Sequence, residues 1–132
     1  METQTARARI LVVEDDVLNR EVARRSLALL GLEADCAAGG ARAGAALGRR
    51  AYDLIRLDSR MPGMDGSEAL RRIRAAERDL GRAPSRVIAM TAEASRGLAG
   101  RLRGAGFDGY LAKPFRLEEL RALVEIGPGA GS

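Results

Sequence analysis

The sequence contains no histidine, and this absence narrows the chemistry that the chain itself can perform. It excludes a Ser-His-Asp triad, imidazole ligation of a metal and phosphorylation of the chain on histidine. The single cysteine, Cys36, has no partner for a disulfide or a thiolate metal site, so we expect it to fill space in or near the core. Aromatic residues make up only 3% of the chain, so the core must be aliphatic.

Long apolar runs are absent as well. No segment approaches the ~20 apolar residues that a membrane span needs, and the amino terminus lacks the apolar stretch of a signal peptide. We therefore expect a cytoplasmic protein. The net charge of +4 would suit an acidic partner, but the arginines are scattered and have no aromatic residues between them. That distribution favours solvated helix faces over a nucleic-acid surface.

The pattern of the chain alternates between short apolar stretches and longer amphipathic or alanine-rich stretches. Five such pairs within 132 residues predict one α/β domain, with a parallel sheet and helices on both faces. The predicted strands cover residues 10–13, 32–37, 53–58, 86–90 and 110–112, and the predicted helices cover residues 18–30, 41–50, 66–80, 95–103 and 117–124. We interpret residues 1–8 as a disordered amino terminus, 9–126 as the domain and 127–132 as a flexible tail.

Local signals mark several helix ends. Gly31 follows the first helical pattern and is expected to adopt the left-handed conformation of a helix cap. Asp65, followed three residues later by Glu68, resembles a capping box at the start of the third helix. Gly97 and Gly100 fall within the predicted fourth helix, where each costs roughly 1 kcal/mol relative to alanine. The fourth helix is therefore predicted to be the least stable.

The stretch around the third strand is the centre of the chain. Its apolar run is interrupted only by Arg56, and it ends at Asp58. Pro62 and Gly63 then force a loop, so Asp58 is predicted at the carboxyl end of a buried strand, where open parallel sheets bind ligands. A buried guanidinium at Arg56 must either reach a carboxylate or distort the site.

Polar residues also stand at the other predicted strand ends. Glu14 and Asp15 follow the first strand, Thr91 ends the fourth, and Lys113 follows the fifth. Each alone could be an ordinary turn or cap residue, but parallel strands bring all these ends to one edge of the sheet. Clustered carboxylates predict a divalent cation, and Mg²⁺ suits a few carboxylates with retained waters. Asp58 would then be a nucleophile for a phosphoryl group, Lys113 a phosphate-binding cation and Thr91 a hydrogen-bond donor.

The segments ILVVEDD, DLIRLDSRMPGMDG, VIAMTA and GYLAKPF resemble, in order and spacing, the receiver domain of two-component response regulators. The resemblance implies a five-stranded, doubly wound, flavodoxin-like parallel sheet of order 2-1-3-4-5. It implies phosphorylation of Asp58 from a partner's phosphohistidine. The residues matching the family's functional positions are the metal-binding Glu14, Asp15 and Asp58 with the backbone carbonyl of Arg60, the phosphate-binding Lys113, and the switch pair Thr91 and Tyr110.

The same resemblance implies the partners and the kind of activity. A sensor histidine kinase or a histidine phosphotransfer protein would supply the phosphoryl group, and a downstream protein would read the altered surface. The domain would act on no substrate beyond its own phosphate, and it would be a monomer or a weak, phosphorylation-dependent dimer. Neither nucleic acid nor membrane is an expected direct partner.

Three other interpretations fit parts of the sequence. A pseudo-receiver that binds partners without phosphorylation is favoured by Arg56 but disfavoured by the acids, Thr91 and Lys113. A metal-dependent phosphatase with an aspartyl nucleophile would need a second aspartate two residues after Asp58, where Arg60 stands. A DNA-binding protein would need a helix-turn-helix segment, which the sequence does not contain.

Overall fold

The structure, a computed structural model, describes residues 8–58, 66–91, 97–112 and 116–125. Strands and helices alternate along the chain as β1 Ile10–Val13, α1 Val17–Leu29, β2 Ala34–Ala37, α2 Gly40–Arg49, β3 Leu54–Asp58, α3 Gly66–Leu80, β4 Arg86–Thr91, α4 Leu98–Ala105, β5 Gly109–Ala112 and α5 Leu117–Glu125. The predicted alternation is confirmed, and every predicted end except the start of the fourth helix lies within two residues of the observed one. The predicted tail lies outside the described residues, as does the predicted amino-terminal segment except for Ala8.

All five strands form one parallel sheet in the order β2-β1-β3-β4-β5, as the family resemblance implied. The pairing register places Val13 of β1 beside Ala37 of β2 and Leu57 of β3. Because the strands are parallel and the register is unbroken, their carboxyl ends share one edge. β1, the described side chains of β3 and nearly all of β4 are buried on both faces, which explains why these strands appear in the sequence as continuous apolar runs. The edge strands β2 and β5 are only partly buried.

The strand alternation divides the core into two layers. On one face, α2 and α3 pack against Leu11, Ile55, Val87 and Ala89 of the sheet. On the other face, the cluster contains Ile10, Val12, Leu54, Ile88 and Met90 of the sheet, Ala23 and Leu27 of α1 and Leu120 of α5. This second face also carries the buried Arg56, so a charged side chain lies among the apolar residues of the sheet.

The helix ends follow the glycine signals with one correction. Gly31 has φ 79° beyond the end of α1, as predicted. Gly97 was predicted inside the fourth helix, but it is the residue before α4 and has φ 83°. A left-handed glycine before the first turn starts the helix later than the sequence pattern suggested, and α4 is only eight residues long. Gly100 lies within α4 as predicted, whereas Asp65 of the predicted capping box lies outside the described residues.

The amino-terminal edge of the sheet is tied together by a buried polar network. Glu77 of α3 is 2% exposed, and it accepts hydrogen bonds from the Ser85 amide and from Arg74 Nη1, both at 2.8 Å. Arg74 also donates to the carbonyl of Ser85 at 2.8 Å and to Asp108 Oδ2 at 3.1 Å. Asp108 in turn accepts from the Val87 amide at 2.7 Å. This network joins α3, the start of β4 and the loop before β5.

Candidate functional site

The candidate site lies at the carboxyl edge of the sheet, where the predicted residues fall on neighbouring strand ends. Asp58 ends β3 beside Met90 of β4, and Thr91 ends β4 beside Ala112 of β5. Glu14 directly follows β1, and its amide donates to the Ala37 carbonyl at 2.9 Å, which extends the β1–β2 ladder by one step. The backbone thus brings the ends of β1, β3 and β4 together.

The loop after β1 holds one acid inside and presents another to solvent. Glu14 is 7% exposed, and its Oε2 accepts a hydrogen bond from the Asp16 amide at 3.1 Å. Asp15 is exposed. Asp16 is the N-cap of α1, since its Oδ2 accepts from the Asn19 amide at 2.8 Å. The capped helix start therefore fixes the direction in which the two preceding acids leave the sheet.

Arg20 of α1 contacts the loop after β1 through its side chain, and the sequence did not indicate this role. Its Nη1 donates to the carbonyls of Glu14 at 2.9 Å and Asp15 at 3.0 Å. A cation in the first turn of a helix is unfavourable with respect to the helix dipole. The position of Arg20 near the amino end of a helix was therefore the one sequence signal that could have indicated a specific contact.

Arg56 is 8% exposed, as the sequence required of a residue in the central strand. Val12 and Ile88 flank it in the register and are 2% and 1% exposed. The guanidinium nitrogens Nε and Nη1 are both shielded from solvent, and the residue does have an interaction partner. The two alternatives predicted for Arg56, a carboxylate partner or a distorted site, both stay predictions.

The predicted switch residues lie on adjacent strands and on the same face of the sheet. Thr91 is buried at 4% exposure, and Tyr110 of β5 is 38% exposed. Tyr110 pairs with Ala89, which precedes Thr91 by two positions. Strand alternation therefore puts Thr91 and Tyr110 on one face, diagonal to each other.

Three predicted groups are not described. Lys113 and Arg60 lie outside the described residues, and only the backbone of Asp58 is described. Lys113 is nevertheless distinctive in the sequence, because it is the only lysine in a chain whose other basic residues are all arginine. A compact ammonium ion differs from a guanidinium in binding a phosphate as a point charge.

The donor set fits a hard divalent cation as far as it is described. Glu14 and Asp15 supply carboxylate oxygens at the end of β1, and Asp58 ends the neighbouring strand. Within the described side chains no group of three potential metal ligands is found, and the predicted set draws its remaining ligands from Asp58 and Arg60. Oxygen donors without nitrogen or sulfur are the chemistry that Mg²⁺ prefers.

Comparisons with known proteins agree with this geometry. A sequence model of the response regulator receiver domain family matches residues 10–125. The response regulator MprA of Mycobacterium sp. (strain KMS) is 41% identical over 116 residues, which cover 88% of this chain and 48% of MprA. The receiver domain of the sensor histidine kinase PA1611 from Pseudomonas aeruginosa, solved with a magnesium ion in its active-site cleft, is 38% identical with a TM-score of 0.75, over 96% of this chain and 99% of that one.

A third relative was solved with a signalling partner. The receiver domain of the Saccharomyces cerevisiae response regulator Ssk1, in complex with the histidine phosphotransfer protein Ypd1, is 27% identical with a TM-score of 0.78, over 90% of this chain and 87% of that one. The chain belongs to the response regulator receiver domain family of two-component signalling. It spans 4% to 13% of the first histidine-kinase relatives that it matches and 48% of MprA. None of the described helices is both long and apolar enough to cross a membrane.

Proposed function

We propose that this domain accepts a phosphoryl group on Asp58 from a partner's phosphohistidine, in a Mg²⁺-dependent reaction, and thereby switches a protein-binding surface. The observation that carries the proposal is the convergence of Glu14, Asp58 and Thr91 on neighbouring strand ends at one edge. A carboxylate oxygen of Asp58 attacks phosphorus, the P–N bond to imidazole breaks as the P–O bond forms, and the released imidazole takes its proton from water.

The chain's own residues supply the rest of the chemistry. Glu14, Asp15, Asp58 and the carbonyl of Arg60 would hold Mg²⁺, which neutralises charge on the phosphoryl oxygens. Lys113 pairs with one of those oxygens as a point charge. Thr91 donates its hydroxyl hydrogen bond to another.

The same contacts provide the switch. A phosphoryl group adds about −1.5 to −2 charges at Asp58 and draws the Thr91 hydroxyl towards it. Tyr110, half-exposed and diagonal to Thr91 on the same face, then turns inwards. The surface formed by α4, β5 and α5 changes as a result. Hydrogen exchange with and without a phosphoryl mimic tests this step: α4 should change most, and equal protection in both states would contradict it.

The face of α1 supports docking of the phosphodonor next to Asp58. Val17 and Leu18 are each 70% exposed and Val22 is 56% exposed. These apolar residues lie close to the candidate site, because α1 begins directly after the acidic loop. Exposed apolar residues at helical spacing are typical of a surface that packs against a partner helix. The partner is therefore proposed to be the helical domain that carries the phosphohistidine.

Phosphodonors of two sizes test the reaction and the docking surface separately. The native protein with Mg²⁺ and a small-molecule phosphodonor should gain one phosphoryl group by intact mass, and Asp58→Asn should gain none. Leu18→Glu combined with Val22→Glu should keep the small-molecule reaction but lose about tenfold in rate from a histidine phosphotransfer protein. Equal loss with both donors would contradict the docking surface.

A second function is favoured by one observation. The burial of Arg56 in the strand that ends at Asp58 is compatible with a pseudo-receiver that binds partners without phosphorylation. The absence of any mass increase in the native protein, despite bound Mg²⁺, would support that alternative.

A further inference from the structure

Arg56 occupies a defined place relative to the acidic edge. Within β3, positions 54, 56 and 58 alternate onto one face, and Leu54 belongs to the core layer beneath α1. Arg56 therefore precedes the phosphoacceptor position by one step of the alternation, a rise of about 7 Å. The neighbouring strand repeats this arrangement, because Glu14 follows Val12, the register partner of Arg56, by the same step.

The charged groups on this face have an uneven distribution. Towards the carboxyl edge, the next residues on this face are acidic: Asp58 on β3 and Glu14 directly after β1. Towards the amino edge, the charged residue that the described strands place on the same face is Arg86, the register partner of Leu54. The strand charges therefore favour a guanidinium position nearer to the acids than to Arg86.

Burial makes this attraction strong. Val12, Ile88 and Met90, which surround Arg56 in the sheet, are all at most 3% exposed. A guanidinium keeps its charge even there, because arginine is not deprotonated in proteins. Charges among such neighbours are screened less by water and salt than charges at the surface.

We propose that Arg56 is a permanent counter-cation of the phosphoacceptor site, which neutralises part of the carboxylate charge before any metal binds and thereby weakens the affinity for Mg²⁺. The inference rests on the proposed function, since it concerns the same acids. One positive charge that stays in place lowers the repulsion among Glu14, Asp15 and Asp58. It also repels a divalent cation that enters the same space.

Calorimetric titration of the unphosphorylated protein with MgCl₂ tests the proposal without measuring activity. Arg56→Leu should bind Mg²⁺ about tenfold more tightly than the native protein. Arg56→Lys, which retains a positive charge, should stay within about twofold of native. Arg42→Leu removes the same charge from the exposed surface of α2 and should leave the affinity unchanged. Should Arg56→Leu fold poorly, Arg56→Gln carries the same expectation.

The outcomes separate this inference from the proposed function. Equal Mg²⁺ affinity of native and Arg56→Leu would overturn the role of Arg56 and leave the metal site intact. Binding by Arg56→Leu but not by the native protein would support it in its strongest form, in which Arg56 excludes the metal. Absence of binding by both proteins would overturn the inference and the metal site together.

A metal-free measurement provides a second readout. In the presence of a chelator, Arg56→Leu should lower Tm more in the native background than in the Asp58→Asn background. The reason is that the Asp58→Asn protein has already lost the Asp58 carboxylate, whose charge Arg56 is proposed to offset. Equal shifts of Tm in the two backgrounds would show that Arg56 and Asp58 are not coupled.

Discussion

Asp53 and Asp58 stand at the two ends of β3, one at each edge of the sheet, and they use the same side chain differently. Asp53 is a structural tie: its Oδ2 accepts the Arg9 amide at 2.8 Å, while its own amide donates to the Arg9 carbonyl at 2.8 Å. Asp58 ends the strand at the opposite edge, where the proposed chemistry needs a carboxylate that can bind a metal ion and accept a phosphoryl group. The identity of the residue therefore says less about its role than the edge on which it lies.

The two edges differ in the same way as a whole. At the amino edge, the charge of the buried Glu77 is neutralised locally by Arg74 at 2.8 Å, so this carboxylate needs no cation from outside the chain. At the carboxyl edge, Glu14 and Asp58 bring like charges to neighbouring strand ends. Neighbouring carboxylates are stabilised by a cation, either a basic side chain or a bound metal ion. The carboxyl edge should therefore be sensitive to a bound cation or an added phosphoryl group.

The largest effect should come from exchanging the two aspartates for asparagine one at a time. Asp58→Asn should abolish phosphoryl incorporation, because an amide cannot serve as the nucleophile. Asp53→Asn should keep incorporation within about twofold and cost about 1 kcal/mol in the free energy of unfolding. Intact mass after treatment with a phosphodonor, together with urea denaturation, measures both. Comparable loss of phosphorylation in both variants would remove the distinction between the edges.

The next largest effect concerns stability at the amino edge. Glu77→Ala leaves the buried Ser85 amide without its acceptor and removes one of the acceptors of Arg74, so the free energy of unfolding should fall by about 3 kcal/mol. Urea denaturation measures the change.

Glu68→Ala is the matched control on the same helix. Glu68 pairs with Arg71 and Arg72 on the exposed side of α3, and exposed pairs are worth at most about 1 kcal/mol. If Glu68→Ala destabilised the protein as much as Glu77→Ala, burial would not be what distinguishes the two glutamates.

The fold could be predicted from the sequence because each level of the pattern agreed with the next. Short β-branched runs such as Ile10–Val13 predict buried strands, and helical stretches between them require parallel connections. The ends were less predictable where a glycine had two possible roles. Gly97 is compatible with helix composition, and only its backbone angle, φ 83°, places it before the helix.

The faces of the helices were harder to predict than the helices. In α1, Leu18, Val22 and Leu29 recur at helical spacing and are all exposed, whereas Ala23 and Leu27 are buried. The sequence contains two apolar stripes on this helix, and hydrophobicity alone does not indicate which one faces the sheet. If the exposed stripe of larger residues is the partner surface proposed above, a local pattern would not distinguish it from a stripe that faces the sheet.

The placement of strand ends at one edge was predictable from the sequence, but the contacts that support the acidic loop were not. Strand ends alone brought Glu14, Asp58 and Thr91 to one edge. Arg20 was missed because it acts through two backbone carbonyls, and a sequence has no signal for such contacts beyond a charge that opposes the helix dipole. Cys36 fits its predicted role as a filler, since burial raises the pKa of its thiol and makes it a weak nucleophile at neutral pH.

A smaller effect tests the amino edge through pH. Burial, followed by the hydrogen bond to Asp35, raises the pKa of Tyr52 from 10.0 to about 12. The folded protein therefore keeps the phenol proton where the unfolded chain has released it, so stability should fall as the pH rises from about 10 to about 12. After allowance for solvent screening, the loss is about 1 kcal/mol. Urea denaturation across this range should show it in native protein, and Tyr52→Phe should lack this component; identical pH dependence would contradict the assignment.

The smallest effect isolates the contribution of the Arg20 side chain to the acidic loop. Arg20→Gln removes the donor that holds the carbonyls of Glu14 and Asp15, so amide hydrogen exchange at residues 14–16 should become about fivefold faster. Arg24→Gln is the control, because Arg24 pairs with Glu21 on the exposed side of the same helix. The amino-edge amides of Ser85 and Val87 should keep their exchange rates in both variants. Faster exchange at both edges would mean that Arg20 stabilises the whole domain rather than the acidic loop. That result would contradict the proposed difference between the amino edge and the carboxyl edge.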